Sequence, residues 1–327
     1  MSPSLSFDYA EPATVEEAVA QRAANAASRY VAGGTDLVPN LRRGIGSPDL
    51  LIGLDAITDM KTIAEVKGFA VIGAGVTIAS LIESGLCEQY PALAAARDIA
   101  GPSHREAGTV GGNLCLDTRC VFYNQSKWWR QANAFCLKLD GETCHVAPQG
   151  AHCHAAFSGD LAPALLVLGA EVEIASSKGR RWQPLGDIYR DDGRDHLTLE
   201  SADLLVAVRI PTDAARLHSG YLKSRVRRSI DFPLAGVAVA FRREGDAIDD
   251  LRVAITGTNS RPFLVDGIEA LNGQVLNADF LDRIAKRVGQ LIKPMRTTLM
   301  PGLYRRQVAD VYVRRLITHL YEQGCVE

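Results

Sequence analysis

Between residues 115 and 158 the chain abandons the alternating helix and strand pattern that precedes and follows it. Five of its seven cysteines, Cys115, Cys120, Cys136, Cys144 and Cys153, fall there within 39 residues. His145, His152, His154, Trp128 and Trp129 share the stretch. A long segment without sustained periodicity is uncommon inside a compact domain unless it is functional or held by something. It reads as an insertion into a fold that otherwise continues from Asn113 to Asp160. An odd cysteine count, with no basic-then-apolar leader at the start, argues for a reducing compartment and against a disulfide framework. Cys87 and Cys325 stand apart from the group.

The flanks carry ordinary α/β signals. Thr14 followed by Glu17 is a capping box that opens a helix over 14–28. RYVAGG (29–34), LLIGLD (50–55) and AVIGAGVT (70–77) read as short apolar strands stopped by glycine. Thr77 caps a helix that Gly85 ends, and PALAAARDIA (91–100) reads as another. GPSHREAGTVGGNLC is glycine-rich and predicts no regular element. After the insertion, 161–176 gives a helix and then a strand, with further strands at Trp182 and at LLVAVRIP (204–211). From 220 the pattern changes to an antiparallel meander. Two helices follow, over 275–292 and 301–323. The second sets Tyr304, Val308, Val311, Tyr312 and Leu316 on one face, with Arg305, Arg306, Arg314 and Arg315 off it.

Length and charge narrow the function. At 327 residues the chain allows two or three domains. Its 36 Lys+Arg against 38 Asp+Glu give no global attraction to nucleic acid. No apolar run approaches the ~20 residues of a membrane span, so a soluble cytoplasmic protein with no membrane partner is expected. Walker loops, nucleophile elbows and zinc-protease helices are absent, and His104, Arg105 and Glu106 form no catalytic set.

Two glycine turns and the cysteines remain as chemistry-bearing features. VAGGTDL (31–37) follows a strand, and its backbone amides can approach a phosphate because two residues lack a Cβ. TVGGN (109–113) is similar, and together the two could grip the phosphates of one dinucleotide. Cys120, Cys136, Cys144 and Cys153 are separated by 15, 7 and 8 residues, so no zinc-ribbon or bacterial ferredoxin run exists. Each gap, at ~3.3–3.6 Å per residue, is long enough for all four to meet at one metal centre. On the residues alone both a cluster and zinc, with His145, His152 or His154 as further ligands, stay open. Phe122, Tyr123, Trp128, Trp129 and Phe135 would exclude water from it. Lys223, Arg225 and Arg227 alternate along a strand and so share a face, either solvated or turned to an anion.

Taken together, VAGGTDL, AGPSHREAGTVGGNL, SGDLAPALLVLGAEVEI, LLVAVRIP and the Lys223 strand resemble the flavoprotein (medium) subunits of the xanthine dehydrogenase and carbon monoxide dehydrogenase family. The cysteine-bearing insertion, with CLDTRCVFYNQSKWWR and CLKLDGETCHV, is similar to that of the 4-hydroxybenzoyl-CoA reductase branch. The resemblance implies an α+β chain: a two-part FAD-binding fold of the PCMH/xanthine-dehydrogenase type over 1–56 and 57–215, with the iron–sulfur loop inserted at 115–158. An α+β C-terminal domain with an antiparallel sheet and helices would occupy 216–327. It implies FAD, with Val31, Ala32, Gly33, Gly34, Thr35 and Asp36 at the pyrophosphate. Thr109, Gly111, Gly112 and Asn113 would form a second cradle, and Asp160 would meet the ribityl or adenosine part. Ile99 would pack on the flavin region, Leu205 on the adenine side or the ring, and Lys223 would sit near the isoalloxazine, where a cation favours the anionic reduced flavin. Cys120, Cys136, Cys144 and Cys153 would ligate a 4Fe–4S cluster, leaving Cys115 out. The implied partners are a molybdopterin-binding large subunit, a 2Fe–2S small subunit and ferredoxin as electron donor. The implied task is electron transfer for reductive dehydroxylation of 4-hydroxybenzoyl-CoA, with the substrate site on another chain. An oxidative hydroxylase or aldehyde dehydrogenase, or a zinc-stabilised scaffold, is the alternative.

Overall fold

The computed structural model describes residues 6–227 and 229–323, so Cys325 lies outside the described residues. Three sheets organise the chain. The first is parallel, with β1 (Asp8–Ala10), β2 (Arg29–Val31) and β3 (Leu50–Gly53) in the order β1-β3-β2. Between β1 and β2, helix α1 (Val15–Ala24) starts at the expected capping box. Thr14 Oγ1 accepts the Glu17 N–H at 3.2 Å, and the Glu17 carboxylate reaches back to the Ala13 N–H at 2.9 Å. The helix stops at Ala24 because the Asn25 side chain accepts the Ala27 N–H and donates to Asp49. Helix α2 (Leu37–Arg42) follows the first glycine turn.

The second sheet holds β4 (Ile63–Val66), β5 (Phe69–Gly73), β6 (Glu171–Ser176), β7 (Gly179–Pro184) and β8 (Leu204–Pro211). Its order is β4-β5-β8-β6-β7, antiparallel throughout. Strands from before and after the insertion thus share one sheet and one apolar core. Helices α3 (Ile78–Glu83) and α4 (Leu86–Gln89) lead into a 3-10 helix over Pro91–Asp98, where a longer α-helix was expected. The glycine-rich stretch expected to be irregular forms two short helices, α5 (Pro102–Ala107) and α6 (Val110–Leu114). Proline at the first helical position of α5 and a Thr109 hydroxyl that accepts the Gly112 N–H offset the poor helix propensity of the glycines.

The insertion leaves this core at Leu114 and rejoins it at Phe157, both fully buried. Inside it the described residues contain one helix, α7 (Lys127–Ala132), capped by Ser126. All seven residues of α8 (Leu161–Val167), the first element after it, are buried.

The third sheet is the expected meander of β9 (His218–Ser224), β10 (Ala235–Glu244) and β11 (Ala247–Thr256). Two short strands, β12 (Phe263–Leu264) and β13 (Gln274–Val275), line β11. Strand periodicity splits β10 cleanly. Val237, Val239 and Phe241 face a second core under helices α9 (Ala278–Leu291) and α10 (Gly302–Gln323). Ala238 and Ala240 face the first core, where small side chains let the sheet approach α8 closely.

Helix α10 is turned relative to expectation. Arg305, Ala309, Val313, Leu316, Ile317 and Leu320 are buried, whereas Tyr304 and Val311 are exposed. Arg305 was expected off the buried face and is instead wholly inside. Its guanidinium donates to the carbonyls of Leu234 (3.0 Å), Met295 (2.8 Å) and Gly257 and to Thr297 Oγ1 (3.1 Å). A buried charge is tolerated when its donors are matched in this way. Arg305→Leu strands those acceptors, and is expected to lower stability by about 3 kcal/mol, read as a shift in the urea midpoint followed by the fluorescence of the C-terminal half.

Candidate functional site

The two glycine turns, about 75 residues apart in sequence, meet in space. The first runs from the end of β2 through Ala32–Asp36 into α2, and Gly34 takes φ +67°, a conformation that side chains with a Cβ rarely adopt. A Cβ on Gly33 would lie 1.7 Å from the carbonyl oxygen of Ala107, at the end of α5. Thr35 Oγ1 stands 3.6 Å from the position of a Cβ on Gly108. The second turn is fixed from beneath: Val110 N–H donates to Val76 and Gly111 N–H to Ala74. A Cβ on Gly111 would sit 2.7 Å from the Ala74 methyl. Asn113 Oδ1 accepts the Leu161 N–H at 3.0 Å, which ties the second turn to the residue after Asp160. Val31–Asp36 and Thr109–Asn113 therefore form one backbone-lined surface.

Asp160 and Lys223 do converge on this region, but as a sealed pair. Lys223 Nζ lies 2.9 Å from Asp160 Oδ2 and donates to the Asp98 carbonyl at 2.9 Å, and the Tyr221 hydroxyl donates to Asp160 Oδ1 at 2.6 Å. The Lys223 and Asp160 side chains are 1% and 4% exposed. Each carboxylate oxygen already accepts one hydrogen bond inside the protein, and the Lys223 charge is paired. Burial pushes the Asp160 carboxyl upward, against the pull of Lys223 and Tyr221. The expected cationic face forms only in part. Lys223 and Arg225 do share a side, both donating to the Asp98 carbonyl (2.9 and 3.3 Å), but beyond the end of β9 at Ser224 the exposed Arg227 turns away to Asp231 (3.5 Å). Ile99 is half-buried just beyond the 3-10 helix, whereas Leu205 is packed inside the first core.

Cys120, Cys136, Cys144 and Cys153 line a single small pocket with a cavity volume of about 10 Å³. Its wall is otherwise largely apolar, with Phe122, Tyr123, Leu137 and Val146 beside Lys138 and His145. Paired hydrogen bonds between Arg119 and Ala156, both 2.7 Å, close the neck of the insertion. Tight turns present each cysteine: Cys136 O accepts the N–H groups of Leu139 and Gly141, Cys144 O that of Ala147, and Cys153 Sγ that of Ala155. Burial pushes the Cys120 thiol up to about 11 and that of Cys153 to about 12. Those two thiols thus stay protonated at neutral pH. Cys115 is outside this wall, packed on the first core.

The histidine and aromatic expectations are met only in part. His145 lines the cavity with its ring against the Phe135 carbonyl, while His152 is 71% exposed beside Asp192. Among the described residues no three Cys, His, Asp or Glu side chains are grouped to hold one metal ion. A tetrahedral zinc with ~2.3 Å bonds would draw its sulfurs to within about 4 Å of one another. Trp128 is 77% exposed and shields nothing, because α7 turns it outward. Trp129 lies behind Phe122, with ring centroids 6.2 Å apart.

Two residues were not singled out from the sequence. Arg119, next to Cys120, pairs with Asp36 Oδ1 in the first glycine turn and lies 4.3 Å over the Phe232 ring. It joins the insertion directly to the cradle, and burial pulls its guanidinium down to about 10. Lys138 pairs with Asp117 at 2.6 Å. The neighbour of Arg119 on the cysteine list was a signal, but nothing local marks Asp36 as its partner.

Gly33→Ala is expected to force the turns apart and leave less than about a tenth of the flavin on the purified protein, read as the ratio of 450 to 280 nm absorbance. His196, beside the insertion, is buried with its ordinary value pulled down to about 4 by desolvation. The unfolded chain therefore takes up its proton first. The stability conferred by the neutral ring is complete above pH 6.5 and lost as pH falls toward 4, by up to about 3 kcal/mol. Urea midpoints across that range should fall less steeply in His196→Leu.

Comparison with known proteins bears on the whole chain. Residues 5–213 match the family described as "FAD binding domain in molybdopterin dehydrogenase". Residues 220–320 match the "CO dehydrogenase flavoprotein C-terminal domain". The nicotine 6-hydroxylase medium subunit of Paenarthrobacter nicotinovorans is 26% identical over 94% of this chain and 95% of its own. The carbon monoxide dehydrogenase medium chain of Afipia carboxidovorans is 27% identical over 95% and 96%. Among solved structures, a Cu,Mo-CO dehydrogenase in its cyanide-inactivated form aligns with a TM-score of 0.79 at 25% identity, covering 97% of this chain and 98% of the other. These matches and the two-turn cradle agree: the chain belongs to the FAD-binding medium subunits of the xanthine dehydrogenase and carbon monoxide dehydrogenase family of molybdenum hydroxylases.

Proposed function

We propose that this chain is the electron-transfer subunit of a molybdenum-containing 4-hydroxybenzoyl-CoA reductase. In this reading it holds FAD between the two glycine turns and a 4Fe–4S cluster in the four-cysteine cavity. The observation that carries it is that Cys120, Cys136, Cys144 and Cys153 line one mostly apolar pocket, inside a segment whose neck residue, Arg119, reaches the cradle at Asp36. The donor set that supports it is four thiols on separate turns of one pocket, the ligand number and type of a 4Fe–4S cluster. The relatives named above are described as medium subunits or chains, and the cluster is our reading of what this insertion adds.

When bound, the flavin and the cluster would supply one-electron and two-electron exchange. The protein's part is positioning. The backbone of Val31–Asp36 and Thr109–Asn113 would hold the pyrophosphate, the missing Cβ atoms of Gly33 and Gly111 letting the two turns close on Ala107 and Ala74. The Asp160–Lys223–Tyr221 group would act indirectly, by fixing the C-terminal sheet against the cradle. Phe122, Tyr123, Leu137 and Val146 would keep water from the cluster, which is one determinant of its potential. Electrons would enter from a low-potential donor of the ferredoxin class and pass through cluster and FAD toward a 2Fe–2S small subunit and a molybdopterin-binding large subunit. There a phenolic hydroxyl would be removed from 4-hydroxybenzoyl-CoA.

The protein purified anaerobically is expected to carry about four iron and four acid-labile sulfides per chain beside FAD. Its cluster midpoint should lie below that of the flavin. Zinc in place of iron would overturn the cluster, and a cluster midpoint well above the flavin would favour outward flow in an oxidative hydroxylase. Cys136→Ser should lose iron and open 120–153 to proteolysis while FAD stays bound. Co-purification of the two partner subunits, followed by conversion of 4-hydroxybenzoyl-CoA to benzoyl-CoA with a reduced one-electron donor, tests the reaction itself.

A further inference from the structure

Lys138 is the only Lys, Arg, Asp or Glu among the described residues lining the four-cysteine cavity. Its side chain is 5% exposed and its position is fixed by hydrogen bonds. The ammonium donates to Asp117 Oδ1 (2.6 Å), to the Gly193 carbonyl (2.8 Å) and to the Thr118 hydroxyl, and sits 4.5 Å from the centre of the Tyr123 ring. Asp117 does not line the cavity and is one-third exposed. It also accepts the Tyr123 hydroxyl (3.0 Å) and the Thr118 N–H (2.9 Å). The ammonium lies close enough to Cys153 for its charge to act there, whereas the Asp117 carboxylate is outside the pocket wall and partly solvated.

We propose that Lys138 sets the reduction potential of the cluster held by the four cysteines, raising it above the value that thiolates and a buried wall alone would give. The inference rests on the cluster reading above. Four thiolates bring negative charge into a space that screens it weakly, and reduction adds one electron more. A fixed ammonium in the wall favours the reduced form over the oxidised one. The electron comes from an external one-electron reductant, no covalent bond is made or broken, and Lys138 keeps its proton. Asp117 offsets the effect in part, being farther out and better solvated. Lys138 is thus a positioning residue for charge, tuning how far the cluster lies below the flavin.

The test is EPR-monitored potentiometry with dithionite on the anaerobically purified full chain, after iron and sulfide have been counted. In Lys138→Met with full iron, the reduction equilibrium of the cluster should fall at least about tenfold, which is 59 mV for one electron. Lys138→Arg should retain most of the wild-type value, and the flavin midpoint should move much less. Asp117→Asn should shift the cluster upward. Full iron with an unmoved midpoint in Lys138→Met overturns the proposal and leaves Lys138 as a staple between 117–118 and 193. If Lys138→Met loads no iron, Asp117→Asn decides: an upward shift supports the proposal and an unmoved midpoint overturns it. Wild-type protein without iron and sulfide overturns the cluster reading and this inference with it, whereas unmoved midpoints in loaded protein overturn this inference alone.

Discussion

Gly33 lies so close to the Ala107 carbonyl that no side chain fits between them. The remaining architecture serves that approach. The parallel sheet delivers Gly33 at the end of β2, and the second sheet, through Ala74 and Val76, holds α6 and the turn after α5 in place. Backbone amides can line a ligand surface only where chain meets chain without Cβ atoms, so the cradle depends on glycines supplied by two separate layers. The C-terminal sheet completes the arrangement by burying Lys223 against Asp160 and Asp98, which locks the third layer to the first core through charge as well as apolar contact.

That pairing changes how the site's electrostatics are understood. A lysine on a strand near a flavin suggests a free cation, yet Lys223 is buried, and a buried charge needs a partner. Its charge is used within the protein. Two further cations belong to the inserted segment: Arg119, at its neck, is tied to Asp36, and Lys138, in the pocket wall, is tied to Asp117. The inserted segment therefore contributes charge placement as well as cysteines.

What could be read from the sequence follows a physical division. Elements specified by local chemistry were legible: the Thr14–Glu17 box, the Thr77 cap, the meander, and the return of the core at Leu161. The two glycine turns and the four cysteines were legible as groups because their residue types are costly to place without a purpose. Features made by distant pairing were not. Arg305 reads as a polar residue on a helix, and its burial depends on carbonyls at 234, 257 and 295. The solvent exposure of Trp128 follows from how α7 is docked, which one side chain cannot announce. The departure of Arg227 from the side shared by Lys223 and Arg225 is likewise decided by a contact with Asp231.

The neck of the insertion has an evolutionary consequence. Arg119 and Ala156 are hydrogen-bonded to each other, and Gly159 lies against Asn113, so a Cβ there would come within 2.6 Å of the Asn113 carbonyl. The points where the segment departs and returns are thus neighbours, and a short connection could bridge them without disturbing either core. Such a segment can be acquired or discarded in a single genetic event. A lineage of flavoproteins can in this way gain or lose a whole segment while its scaffold is inherited unchanged.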